Sequence, residues 1–157
     1  MRLLVLAALL AAIPAAAQTT LRGTAPDGFK FMSGAEIDKL VSQPEPGRVY
    51  GATFMNDHEN YYIEFVKRLD HGNMPELHPR WVDQITITAG EGMVTYGGTL
   101  TGGEVAAGGE TRGGTIAGAQ TRKLGVGDFV LIPAGMPHKF DAAPGKTLTY
   151  VVSKARS

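Results

Sequence analysis

Residues 127–140, Gly-Asp-Phe-Val-Leu-Ile-Pro-Ala-Gly-Met-Pro-His-Lys-Phe, constrain this chain more than any other stretch. The apolar run Phe129–Ile132 lies between two turn signals, Gly127-Asp128 before it and Pro133-Ala134-Gly135 after it. Proline has no N–H to give to a sheet ladder, so a strand must stop or bend at Pro133. Gly135 supplies backbone conformations that side chains disfavour. His138 follows closely, and Phe140 shares its face if that segment is extended. A rigid bend that aims an imidazole beside an aromatic ring can build half of a metal site, or it can simply end a loop. What decides between them lies upstream.

From Arg48 onward the chain has strand character. Val49–Phe54 is one expected strand. Tyr61–Leu69 is another, with Tyr61, Ile63, Phe65, Lys67 and Leu69 on one face and Tyr62, Glu64, Val66 and Arg68 on the other. Val82–Thr88 alternates cleanly, placing Asp83, Ile85 and Ile87 together against Gln84, Thr86 and Thr88. Met93–Tyr96, Leu124–Ile132 and Thr147–Ser153 complete the set. Short strands separated by turn signals imply an antiparallel all-β sandwich or barrel. The stretch 97–119 carries Gly-Gly pairs starting at 97, 102, 108 and 113 and reads as a long flexible hairpin excursion, with a binding lid as the alternative.

Two segments precede the strands. Arg2, the apolar run Leu3–Ile13 and the small residues Ala15-Ala16-Ala17 form a secretory signal peptide over residues 1–17, with cleavage before Gln18. Periplasmic or secreted location is the expectation, with no membrane association after cleavage. Residues 18–47 form an arm and a short helix. Ser33-Gly34-Ala35-Glu36 has the spacing of a capping box, and a helix from Gly34 to about Ser42 would bury Ile37, Leu40 and Val41 before Pro44 ends it. Residues 48–157 form the β domain. The remaining chain of about 140 residues is enough for one core. It has no cysteine, which removes disulfides and thiolate chemistry. Lysine plus arginine and aspartate plus glutamate number 15 each, without a basic run, so no nucleic-acid partner is expected.

Glu76 and His78 project from one face if that segment is extended. Asp83 then opens a strand whose next inward residues are apolar, and a carboxylate in such a row is costly unless paired, protonated or bound to a cation. A metal held by His78, His138 and a carboxylate would remove that cost and leave coordination positions open. His58 and His71 lie in polar loops and are expected at the surface.

These residues resemble the cupin superfamily over roughly Tyr61 to Val152. Its second motif, G-x5–7-P-x-G-x2-H, is met by Gly127, Pro133, Gly135 and His138. Its first, G-x5-H-x-H-x3–4-E-x6-G, is met in part, with Glu76 at the first histidine, His78 at the second, Asp83 at the glutamate and Gly90 at the closing glycine. The resemblance implies an antiparallel jelly-roll barrel with a short N-terminal helix and a site in the barrel's mouth. It also implies a divalent metal ion, Fe, Mn, Zn or Ni, held by His78, His138, Asp83 and Glu76, with Glu76 either a fourth ligand or a catalytic base. Tyr61, Tyr96 and Phe140 are the candidate pocket wall. The family includes dioxygenases, isomerases, lyases and plain binding proteins, some without metal. The implied function is therefore metal-dependent action on a small-molecule substrate, with a non-catalytic module binding a metal or small ligand as the alternative. A homodimer is open beside a monomer.

Overall fold

Strand alternation decides which side chains of this chain reach its interior. The computed structural model describes residues 19–22, 31–42, 52–55 and 60–157. The expected signal peptide, most of the arm, the beginning of the Val49–Phe54 strand and His58 lie outside these residues. The elements run β1 (Thr19–Arg22), α1 (Gly34–Leu40), β2 (Ala52–Met55), β3 (Tyr61–Leu69), β4 (Glu76–Leu77), β5 (Trp81–Gly90), β6 (Gly92–Tyr96), β7 (Thr99–Thr101), β8 (Glu104–Val105), β9 (Thr111–Arg112), β10 (Thr115–Ala117), β11 (Gln120–Leu124), β12 (Phe129–Ile132), β13 (His138–Ala142) and β14 (Thr147–Arg156).

One sheet has the order β1-β2-β3-β14-β5-β12 and the second β11-β6-β13-β4-β9-β8, while β7 and β10 form a separate two-stranded ribbon. All pairings except β1–β2 are antiparallel. The core lies between the two large sheets. Val66, Ile85, Ile87, Leu148, Tyr150 and Val152 come from the first and Val94, Leu124, Phe140 and Ala142 from the second. This is the antiparallel jelly roll, with the short helix at its N-terminal side.

The capping box forms as its spacing requires: Glu36 N donates to Ser33 Oγ at 3.3 Å and Ser33 N to Glu36 Oε2 at 2.7 Å. The helix ends at Leu40, and Val41 just beyond it is buried, while Ile37 and Leu40 are half-buried.

The structure departs from the sequence expectations in two places. Leu124–Ile132 is not one strand. Gly125–Asp128 turns sharply, with Gly127 at φ 90° and Gly125 N donating to Asp128 Oδ2 at 2.8 Å. That turn carries the chain from β11 in the second sheet to β12 in the first. The glycine-rich stretch is also not an unstructured excursion, because β7 pairs with β10 and β8 with β9. β9 pairs in turn with β4, so β8 and β9 extend the second sheet beyond Glu76. Glycine pairs make this possible where the ribbon bends. A Cβ at Gly114 (φ +78°) would stand 2.4 Å from the carbonyl oxygen of Thr101.

Candidate metal centre

Four strands deliver the site. β4 is two residues long, and it places Glu76 opposite His138 of β13. His78 follows directly, and its carbonyl accepts from Gly135 N at 2.8 Å. The Pro-Gly bend of one motif is thereby tied to the histidine of the other. Asp83 heads the inward row Asp83, Ile85, Ile87 of β5. The inward row of β14 is Leu148, Tyr150, Val152 and Lys154, and register sets Lys154 opposite Asp83.

Glu76, His78 and His138 each bring one donor atom into a group spanning at most 4.8 Å. Glu76 Oε2 is 3.4 Å from His78 Nε2. Asp83 Oδ2 lies 3.7 Å from His78 Nε2 and 3.6 Å from His138 Nε2. Asp83 thus approaches both imidazoles but stands outside the tightest group. All four side chains are buried.

Both imidazoles turn Nε2 inward and hold their other nitrogen on an acceptor. His138 Nδ1 donates to the carbonyl of Met136 at 3.0 Å, and His78 Nδ1 is hydrogen-bonded to Glu110 Oε2. An acceptor at Nδ1 fixes the proton there and leaves the Nε2 lone pair for a cation, as outer partners of metal-bound histidines do. Asp83 Oδ1 is buried without a hydrogen-bond partner among the described residues. Converging lone pairs and an orphaned carboxylate oxygen fit a cation in this position.

One cation is already close. Lys154 Nζ lies 2.9 Å from Asp83 Oδ2 and 2.7 Å from His78 Nε2. At that separation one of the two nitrogens supplies a lone pair, and the Glu110 contact at Nδ1 assigns it to His78 Nε2. Arg68 plays the corresponding part for Glu76. Its guanidinium donates to Glu76 Oε1 and to Tyr150 Oη, both at 3.0 Å.

The charges act as follows. Burial alone would raise the Glu76 carboxyl, but Arg68 beside it, with help from His78, Arg112 and Lys154, holds it well below the usual value. Burial pushes His138 down. His78 goes up, because Glu76 and Asp83 outweigh its burial and the neighbouring Lys154. A carboxylate so firmly ionised is a poor proton acceptor and a good ligand.

Arg68, Glu76, Asp83, His138, Tyr150 and Lys154, among others, line a cavity of about 20 Å³. That is room for about one water molecule. Phe140 lines it too. Tyr96 packs against the core beside His138 but does not face the cavity, and its phenol donates to Gln120. Tyr61 is a correction. It is 47% exposed, because the inward face of β3 is the other one, carrying Glu64, Val66 and Arg68. His71 is exposed and 2.5 Å from Asp70, as its polar surroundings suggested.

Sequence reasoning missed Lys154, Arg68, Glu110 and Arg112. Two of them had a signal. Arg68 falls on the same alternating face as Val66, and Lys154 continues the alternation of Leu148, Tyr150 and Val152 by one step. A cation in an inward apolar row needs a buried anion. Glu110 and Arg112 had none, since only the pairing of β9 with β4 brings them to the site.

No protein-family model matches this sequence, and no curated protein matches it. Solved structures do. A double-stranded β-helix protein from Klebsiella pneumoniae superposes with a TM-score of 0.56 at 16% identity, covering 81% of this chain and 90% of that one. A Bacillus halodurans protein gives 0.53 at 15% identity, covering 86% and 84%. The cupin domain of Schizosaccharomyces pombe Cnp3 gives 0.51 at 11% identity, covering 69% and 65%. At such identities the likeness is one of fold, and the fold is the cupin double-stranded β-helix.

Proposed function

We propose that this cupin-fold chain binds one divalent metal ion through Glu76, His78 and His138, with Asp83 as the nearest further donor, and acts there on a small molecule. The observation that carries this reading is the pair of imidazoles whose Nε2 atoms converge on Glu76 while Glu110 and the Met136 carbonyl hold their outer nitrogens. The mixed nitrogen and oxygen donors suit Mn, Fe(II), Ni or Zn. Such an ion, when bound, supplies Lewis acidity to an oxygen of a small molecule. The chain's own residues do the rest. Arg68 keeps Glu76 ionised and oriented, and Ile85, Phe140 and Val152 wall the site from bulk water.

Elemental analysis of protein purified from its native compartment tests the reading. The wild type should carry about one divalent ion, and His78→Ala and His138→Ala should carry none while keeping a β-type circular dichroism spectrum. Full metal content in both variants would refute it.

A second reading has its own support. The cavity holds about one water and Glu110 engages His78, an arrangement that suits a module that holds an ion or a very small ligand without turnover. A small molecule bound and recovered unchanged in the presence of Fe(II), Mn(II), Ni(II) or Zn(II) would establish it. We also propose export to the periplasm or exterior, on the strength of Arg2, the Leu3–Ile13 run and Ala15-Ala16-Ala17.

A further inference from the structure

We infer that Lys154 is a resident cation that competes with a metal ion for the centre of this site and thereby sets how tightly the site takes one; the inference rests on the metal-binding reading above. The ammonium sits 2.7 Å from His78 Nε2 and 2.9 Å from Asp83 Oδ2, and both atoms are donors that a metal needs. With Nδ1 engaged by Glu110, His78 has a single lone pair to give. An ammonium and a metal ion cannot both use it.

The placement follows from the fold and not from a wandering surface side chain. Register sets Lys154 opposite Asp83 on one side and Tyr62 on the other, and its side chain is 5% exposed. Tyr62 presents its ring 5.9 Å from Nζ. Inward neighbours along β14 are Leu148, Tyr150 and Val152, and a buried carboxylate facing such a wall is costly unless a cation pairs with it. Glu76 has Arg68, whereas the ammonium bonded to Asp83 is that of Lys154.

Lys154 therefore does for Asp83, in the metal-free chain, what a metal ion would otherwise do. The metal enters only as Nζ withdraws, which the flexible four-carbon stem allows. Separating the ammonium from Asp83 and placing it near a divalent ion both oppose binding. The wild-type affinity is lowered accordingly.

Metal-stripped wild type and Lys154→Met are titrated with Mn(II) and with Zn(II) by calorimetry, with bound metal counted by elemental analysis after dialysis. The variant should bind at least about tenfold more tightly, because the competing charge is gone while the unbranched stem remains. Equal or weaker binding by the variant overturns the inference and leaves the metal-binding reading intact. Binding by neither protein overturns both. Binding by the variant alone upholds the inference and overturns metal binding as the native function. Should Lys154→Met not fold without metal, it is refolded with and without Zn(II). Recovery with Zn(II) alone upholds the exchange of one cation for another, and failure in both overturns it.

Discussion

Arg68 decides the state of Glu76, and the consequence is measurable. The Glu76 carboxyl lies below its ordinary 4.5, so the unfolded chain binds its proton more readily than the folded one. Its contribution to stability is full above about pH 4.5 and is lost as pH falls through the folded value. The two histidines act at higher pH and in opposite senses. The lowered value of His138 contributes above its unfolded 6.5 and is lost on acidification, whereas the raised value of His78 contributes below 6.5 and is lost as pH rises through the folded value. Below 6.5 the His78 contribution is already complete, so acidification first removes that of His138, and the Glu76 carboxyl adds a further loss below about pH 4.5. Thermal melting across pH 3–7 should show it, and Glu76→Gln should flatten it. Arg68→Met should cost about 3–5 kcal/mol in urea unfolding at neutral pH, because it strands a buried carboxylate. A loss under 1 kcal/mol would mean that Glu76 has another partner.

At the scale of elements, the ribbon between β6 and β11 matters more than its composition suggests. Its glycines look like slack, yet the bend at Gly114 and Thr101 lets β8 and β9 lie on β4 and brings Glu110 to His78. Gly114→Ala combines a positive φ with a 2.4 Å approach to a carbonyl, and should destabilise the protein by about 1–3 kcal/mol on urea titration. Unchanged stability would show that the ribbon is independent of the barrel. Glu110→Ala should leave the fold alone and weaken metal binding roughly 10–100-fold, since it frees the outer nitrogen of His78. Calorimetric titration decides. Sequence pattern made the β3, β5, β6 and β14 segments and the Pro133-Gly135-His138 bend legible, because alternation and Pro-Gly turns are local properties. It could not make the ribbon legible, because short strands such as Glu104–Val105 and Thr111–Arg112 are fixed by their partners and not by their own residues. For the same reason Asp83, His78 and His138 could be expected together, while the Glu110 that orients one of them could not.

On the scale of the whole molecule, the apolar run near the N-terminus stands apart from the jelly roll in composition. If that run is a cleaved export signal, the intact mass of exported protein should correspond to residues 18–157, and a mass retaining residues 1–17 would sink the proposal. The order of strands within the first sheet has a kinetic consequence. β14 lies between β3 and β5, pairing with both along its length. During synthesis both flanking strands emerge long before the strand that joins them, so each waits with an unpaired edge until residues 147–156 are made. Contacts so distant in sequence make assembly slow, and waiting edges invite pairing with other chains. The barrel is thus assembled out of translation order, and nascent chains stopped before residue 147 should be captured by chaperones or lost to aggregation, whichever reaches the open edges first.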